Sequence, residues 1–227
     1  MRYKNIREGR FVSRPNRFIA RVEIDGQEEI CHVKNTGRCR ELLVPGASVF
    51  LEKSDKKERK TAYDLIAVRK GDRLINMDSQ IPNRVVEEWL RNGGLFGEGA
   101  YIRPETKYGT SRFDLYIERG ERKIFMEVKG VTLEEEGIVR FPDAPTERGI
   151  KHIKELCQCI KDGYEAYIMF VIQMKDVRYF EPNKKTQEAF ARALLEAEQA
   201  GVHILAYDCF VEPDSIFLGE PVEVQLI

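Results

Sequence analysis

The stretch Ser111–Lys129 reads Ser-Arg-Phe-Asp-Leu-Tyr-Ile-Glu-Arg-Gly-Glu-Arg-Lys-Ile-Phe-Met-Glu-Val-Lys, and the Gly120-Glu121 pair at its centre constrains the fold more than any other dipeptide in the chain. A Gly-X pair between two alternating runs predicts a two-residue type II′ hairpin, because the twist of that turn matches the twist of the strands it joins. The turn fixes a register. Glu118 faces Lys123 as a favourable cross-strand charge pair. Phe113, Leu115 and Ile117 share one face with Ile124, Met126 and Val128, a continuous apolar layer. The same register sets Asp114 opposite Glu127 on the other face, with Lys129 two residues further along that face. A slip of one residue would move Asp114 into the apolar layer, so the register and any chemistry at Asp114 stand or fall together.

Around this hairpin the 227 residues divide in two. Residues 1–82 carry a balance of +6 and residues 83–227 a balance of −7, hidden in an overall charge of −1. Such a split predicts two domains with different partners. In the first part, Phe18–Ile24 and Glu29–Val33 alternate across an Asp25-Gly26 turn. Ala47–Glu52, Ala62–Lys70 and Arg73–Asn76 continue the strand pattern, and Arg38–Val44 suits one helical turn. Short strands with one small helix in about 80 residues predict a small closed β-barrel of the OB type. In the second part, Asn83 is placed to cap a helix whose apolar side is Val85, Val86, Trp89 and Leu90. Strands follow near Tyr101–Tyr108, Ser111–Glu118 and Arg122–Leu133. A helix over Thr146–Lys161 turns Ile150, Ile153, Leu156 and Ile160 inward. Glu165–Met174 is almost wholly apolar, as a central strand covered on both faces must be. A helix over Lys184–Ala200 and a strand over Val202–Val211 complete an α/β unit with a mixed sheet.

Composition narrows the setting. Hydrophobic residues make up 42% of the chain and charged residues 33%, which supports a packed core and excludes a disordered chain. No run reaches the ~18 apolar residues of a membrane helix, and Met1–Ile6 has no apolar signal core, so the expected location is the cytoplasm, away from membranes. Cys31, Cys39, Cys157, Cys159 and Cys209 include no C-x-x-C pair and read as reduced thiols rather than a zinc cluster.

Two carboxylates facing each other across a ladder repel unless a positive charge lies between them. Mg²⁺ prefers oxygen ligands, keeps several waters and needs only one or two protein carboxylates. Asp114 and Glu127 are therefore expected to hold Mg²⁺ or Mn²⁺, with the Val128 carbonyl as a further ligand. Lys129 would position a water or steady charge on a phosphate, an arrangement suited to phosphodiester hydrolysis. The alternative is a salt-bridge ladder on an ordinary polar sheet face.

Asp…Glu-x-Lys on adjacent strands, with a helix before and after, resembles the PD-(D/E)xK nuclease superfamily. Arg17-Phe18, Asn35-Thr36-Gly37, Pro45-Gly46, Arg59-Lys60, Asn83, Lys107-Tyr108-Gly109, Ser111-Arg112 with Asp114, Glu127-Val128-Lys129, and Phe141-Pro-Asp-Ala…Thr-Glu-Arg-Gly149 with Lys151-His152 narrow this. Together they resemble the sugar fermentation stimulation protein A (SfsA) family over essentially the whole chain. The resemblance implies an N-terminal OB-like domain, a PD-(D/E)xK-like second domain and DNA binding. It puts Asp114, Glu127 and Lys129 in the core motif and Glu88 in the place of the superfamily's helical acid, with Glu87 and Glu105 as alternatives. Arg148 and His152, four apart on one helix face, are phosphate-contact candidates. In the first domain Arg14, Arg17, Arg38, Arg40, Arg59 and Lys60 supply positive charge, with Phe11, Phe18 and Tyr63 as stacking rings, which is how small barrels hold nucleic acid. The expected partner is DNA bound with little sequence preference, with no organic cofactor. Homo-oligomerisation is left open. A purely DNA-binding regulator and an RNA-processing nuclease on the same fold are the rival readings.

Overall fold

The computed structural model describes residues 1–35, 37–55 and 58–226, so that Thr36 of the Asn35-Thr36-Gly37 motif lies outside the described residues. In the first domain β1 (Ile6–Asn16), β2 (Ile19–Ile24) and β3 (Gln27–Val33) form a meander, followed by β4 (Ser48–Lys53), β5 (Tyr63–Lys70) and β6 (Arg73–Asn76). β1 pairs with β2 and with β4, β4 pairs with β5, and β3 pairs in parallel with β5. That last pairing closes a five-stranded OB barrel, with β6 attached to β5 outside the ring. The stretch after β3 makes a single helical turn, in which the Leu43 N–H donates to the Cys39 carbonyl at 2.9 Å.

β1 is a strand that no alternation announced. Arg7, Gly9, Arg10, Arg14 and Pro15 interrupt its pattern, and bulges break its register with β2 between Phe11 and Ser13 and between Ser13 and Asn16. Gly9 is required where β1 crosses β2. A Cβ there would lie 2.6 Å from Val22 Cγ1 and 2.8 Å from the Glu23 carbonyl oxygen.

The second domain is an α/β unit around a six-stranded mixed sheet. Its strands are β7 (Tyr101–Tyr108), β8 (Ser111–Arg119), β9 (Arg122–Val131), β12 (Glu165–Ile172), β14 (His203–Glu212) and β15 (Ser215–Pro221), ordered β15-β14-β12-β9-β8-β7. β12 is central, parallel to both β9 and β14, and buried from Ala166 to Ile172. The helix α1 (Ile81–Arg91) packs on one face, while α2 (Glu147–Lys161) and α3 (Lys184–Gln199) share the core of the other. A small sheet of β10 (Leu133–Glu135), β11 (Ile138–Phe141) and β13 (Tyr179–Pro182) flanks them. These three short strands and β15 are additions to the pattern read from the sequence. Residues 1–3 leave the barrel and join the second domain, where the Tyr3 N–H donates to the Asp214 carbonyl at 2.7 Å and the Met1 and Ile216 backbones bond each other. Among the described residues no helix is long and apolar enough to cross a membrane.

Two helices differ from the pattern in phase. α1 begins at Ile81 with Gln80 as its N-cap and Pro82 in its first turn, so Asn83 lies inside the helix and does not cap it. α2 buries Gly149, His152, Ile153, Leu156 and Cys159, leaving Ile150 and Ile160 at the edge.

The domains share apolar clusters, such as Phe50, Ile66 and Ala67 with Ile81 and Val85, and are also joined by polar groups. The Asn76 N–H donates to the Gln173 carbonyl at 2.9 Å, and Gln173 Nε2 donates to Asn76 Oδ1 at 2.9 Å. Glu134, only 2% exposed, accepts from Lys70 Nζ at 2.8 Å, Arg73 NH1 at 2.8 Å and the Gly137 N–H at 2.5 Å. Burial pushes its carboxyl up, but Lys70, the Gly137 amide and Arg73 outweigh burial and hold it below the usual range. A carboxylate with a lowered folded pKa stabilises above the unfolded value of about 4.3 and loses that contribution as pH falls through the folded value. Glu134→Gln is therefore expected to cost about 2 kcal/mol at pH 7, less than a fully buried pair because both cations are partly solvated. In chemical denaturation at pH 7 down to pH 3, the gap between wild type and variant should close with acid. A gap that stays constant would mean that shape, not charge, makes the contact.

Candidate active site

The hairpin ladder runs from Arg119↔Arg122 through Glu118↔Lys123, Ile117↔Ile124 and Tyr116↔Phe125 to Leu115↔Met126. This is the register expected from Gly120-Glu121, and Gly120 has the positive φ of +60° that the first turn position requires. The ladder stops one pair short of Asp114 and Glu127. There the Val128 N–H donates to Asp114 Oδ2 at 2.7 Å. The other edge of β8 is interrupted at the same level. Its pairing with β7 passes from Pro104↔Leu115 to Thr106↔Phe113, and Glu105 between them has φ +53°. The register against β7 is the same on both sides of this gap, and it is here that the two-residue alternation of β8 fails. Phe113 consequently packs with Phe125 at 5.4 Å and the His152 ring at 6.0 Å, on the α2 side. It does not join Leu115, Ile117, Ile124, Met126 and Val128, which form the layer against α1.

This opening gives Asp114 its surroundings. Its second oxygen, Oδ1, accepts from Asn83 Nδ2 at 2.7 Å. Burial, and then the neighbouring Glu127 charge, push the Asp114 carboxyl up to about 6. Glu127 is 2% exposed, and its Oε1 accepts from Lys129 Nζ and from His152 Nδ1, each at 2.5 Å. Burial raises the Glu127 pKa, but His152 and Lys129 together outweigh it and hold the carboxyl below the usual range. Its other oxygen, Oε2, is buried with no hydrogen-bond partner. A buried carboxylate oxygen left unpaired costs about 1–3 kcal/mol or more, unless something positive meets it.

His152 lies beneath the surface. It is 3% exposed, and its Nε2 accepts from Arg148 Nε at 3.4 Å. A guanidinium only donates, so the ring proton sits on Nδ1 and is directed at Glu127. The helical phase of α2 explains the difference: the imidazole occupies the inner stripe because Glu127 satisfies it there. Arg148 itself is exposed.

Among the acids weighed on α1, neither reaches Asp114. Glu88 pairs with the Met1 amine at 2.7 Å and lies about 140° around the helix from Asn83. Glu87 lies on nearly the same side as Asn83 but pairs with Arg91 at 2.7 Å. Glu105 is exposed and lies 3.9 Å from Arg112. Asn83, read from the sequence as a cap, is the α1 residue that touches Asp114. The signal was Pro82, which sets the first helical turn and so places residue 83 inside it. Among the described residues no group of three or more His, Cys, Asp or Glu side chains is arranged to hold a metal. The donor set is a carboxylate pair, which suits a hard cation that keeps its waters.

The barrel's basic residues separate into two kinds. Arg14 donates to the carbonyls of Gly37, Arg38, Arg17 and Asn35 at 2.6–2.8 Å, and so ties β1 to the loop after β3. Arg59 grips Asp64 through two hydrogen bonds. Both are committed to structure. Arg17, Arg38, Arg40 and Lys60 are exposed.

The family model described as "SfsA N-terminal OB domain" matches residues 12–77, and the one described as "Sugar fermentation stimulation protein RE domain" matches residues 80–215. The chain belongs to the SfsA family. A "Sugar fermentation stimulation protein homolog" of Desulfitobacterium hafniense (strain DSM 10664 / DCB-2) is 64% identical over 227 residues, 100% of this chain and 99% of that protein. One from Clostridium beijerinckii (strain ATCC 51743 / NCIMB 8052) is 59% identical over 226 residues, 100% of each. The structure of Pyrococcus furiosus SfsA in complex with Ca²⁺ superimposes with a TM-score of 0.86 at 31% identity, covering 99% of this chain and 98% of that one. The SfsA resemblance drawn from the Phe141–Gly149 block and the Glu127-Val128-Lys129 motif therefore extends over both domains.

Proposed function

We propose that this SfsA protein binds nucleic acid through its barrel and hydrolyses phosphodiester bonds in its second domain with a divalent cation, Mg²⁺ or Mn²⁺. One observation carries the reading. Glu127 Oε2 is buried and unpaired beside a second carboxylate whose own oxygens are held by Asn83 and Val128. The Ca²⁺ complex of the P. furiosus relative supports it, because Ca²⁺ and Mg²⁺ are both hard cations that select oxygen ligands.

Asp114 and Glu127 would hold the ion. When bound, such an ion polarises a phosphoryl oxygen and lowers the pKa of a coordinated water. The protein's own groups do the rest. The Val128 amide and Asn83 fix the direction of Asp114, and His152, backed by Arg148, fixes Glu127 with Oε2 left free. Lys129 has three ammonium donors, of which Glu127 takes one. The others serve a phosphate oxygen or a water, so Lys129 steadies negative charge that grows on the phosphate. Arg17, Arg38 and Arg40 supply the sequence-independent attraction for the phosphate backbone.

The test is a panel of labelled single-stranded, duplex and branched DNA, and RNA, incubated with purified protein and Mg²⁺ or Mn²⁺. Cleavage that appears with the metal and vanishes in chelator supports the proposal. Binding without cleavage of any substrate would leave a purely DNA-binding protein in its place.

A further inference from the structure

Four arginines line one small cavity on the barrel, between the β1–β2 turn and the loop after β3. The cavity is about 200 Å³ and carries Arg14, Arg17, Arg38 and Arg40. Asn16, Gly37 and Leu43 complete its wall, so no carboxylate lines it. Asp143, the acid that stands against Gly37, lines the separate cavity between the domains. Elsewhere on the barrel, half-buried cations are matched by acids. Arg59 has Asp64, Lys34 has Glu52, Asp64 and Asp78, and Lys70 and Arg73 have Glu134. Among the described residues, Arg17, Arg38 and Arg40 form no ion pair with a carboxylate, and each is exposed.

The three free guanidiniums are carried on backbone that is already fixed. Asn16 Oδ1 accepts from the Phe18 and Ile19 N–H groups and closes the turn that carries Arg17. Arg14 spends NH1 on the Gly37 and Arg38 carbonyls and NH2 on the Arg17 and Asn35 carbonyls. It therefore mounts Arg17 and Arg38, and adds its charge to the cavity while those donors stay committed. Arg40 stands in the helical turn opened by Cys39, whose carbonyl accepts from the Leu42 and Leu43 N–H groups. Backbone set in place before a ligand arrives lowers the ordering cost of binding.

The chemistry of the wall selects an anion. Guanidiniums only donate, and they pair as planar forks with carboxylate or phosphate oxygens. Three of them around one cavity hold more donors and charge than a phosphodiester can use, with its two unbridged oxygens and single negative charge. A phosphate monoester has three such oxygens and a charge of about −1.5 to −2 at pH 7. Clefts that enclose a whole drug-sized ligand run to ~300–1,000 Å³, so this smaller cavity takes a phosphate group and leaves sugar and base outside.

We infer that the arginine cavity is a socket for a phosphate monoester, the phosphate at the end of a nucleic-acid strand. The inference rests on the reading of the barrel as a nucleic-acid-binding domain and adds a substrate class: strands with a phosphorylated end. Arg17, Arg38 and Arg40 then do more than attract the backbone, because they distinguish its terminus.

Fluorescence anisotropy on the full chain in chelator at pH 8 tests this without any dependence on cleavage. The probes are internally labelled dT oligomers of 8 nucleotides with a 5′-phosphate, with a 3′-phosphate or with neither, and one of 10 nucleotides with neither. The 10-nucleotide oligomer matches the charge of a phosphorylated 8-nucleotide one, which separates recognition of the end from attraction by charge. At least one phosphorylated oligomer should bind about 10-fold or more tightly than the 10-nucleotide control. Arg17→Ala, Arg38→Ala and Arg40→Ala should each cut that preference severalfold. Replacing all three by Lys should abolish it and keep the salt dependence of overall binding, since an ammonium cannot pair as a fork. The three side chains are exposed, so folding should survive. Inorganic phosphate and dTMP should compete roughly 100-fold or more weakly than the phosphorylated oligomer, because the rest of the strand adds its own contacts. No preference over the charge-matched control, a preference that survives the triple Lys variant, or dTMP that competes as well as the strand would overturn the socket. Metal-dependent cleavage alongside those failures would leave the phosphodiesterase reading standing. A preference for the phosphorylated end with no cleavage of any substrate would do the reverse.

Discussion

Glu127→Gln is expected to reduce metal-dependent cleavage by roughly 10³-fold or more, since losing a cation worth several kcal/mol of transition-state charge has that effect on rate. The substitution keeps the shape of the side chain. A glutamine carbonyl still accepts from Lys129 and His152, and its amide nitrogen falls where the unpaired Oε2 now lies. Folding should therefore survive, with a melting temperature within a few degrees of wild type. Asp114→Asn should lose cleavage to a similar degree. Its amide can face Asn83, whose own amide flips to accept, while the Val128 N–H keeps its acceptor. Each change removes a negative charge from the neighbourhood of the phosphate. Affinity for nucleic acid in chelator should stay the same or rise slightly. The check is single-turnover cleavage beside anisotropy on the same preparations. Loss of cleavage together with loss of affinity would mean that the carboxylates shape the binding surface and do not hold an ion.

Under the proposed mechanism Lys129→Ala should lower cleavage about 10²- to 10³-fold and leave cation uptake in place, because there the ammonium serves the developing charge and is not a ligand. Glu127 loses one of its two anchors in this variant but keeps His152. Metal affinity should then fall severalfold at most. Titration of Mn²⁺ into wild type and variant, paired with cleavage rates at saturating metal, separates the roles. Were metal binding to disappear as completely as cleavage, Lys129 would be a scaffold for Glu127.

The parts of this site that the sequence announced are those with a strict local rule. Gly120-Glu121 dictates a turn, the turn dictates a register, and the register brings Asp114 to the level of Glu127. The unbroken apolar run of β12 likewise declares a central strand. What remained hidden depends on irregularity or on polar pairing. The interruption at Asp114 and Glu105 carries no apolar signature, so Phe113 was assigned to the layer of Leu115 and Ile117 when it packs against His152. Periodicity puts Ile153 and Leu156 on the inner stripe of α2, where they lie, but adds Ile150 and Ile160 in place of His152, because it cannot register a buried histidine satisfied by a glutamate. The resemblance puts Glu88 in the place of a helical acid, but the side chain that the phase of α1 presents to Asp114 is Asn83. β1 is not legible in the sequence because Arg7, Arg10 and Pro15 face the surface of a barrel whose closure is decided by distant pairing.

Titration calorimetry with Mn²⁺ addresses the carboxylate pair itself, apart from any choice of substrate. Wild-type protein should take up one ion, with the heat of binding absent when Asp114→Asn and Glu127→Gln are combined. Mg²⁺ and Ca²⁺ should compete for the same site. A wild-type protein that takes up no divalent ion, or a double variant that binds it as tightly as wild type, would contradict the assignment of Asp114 and Glu127 as a metal centre.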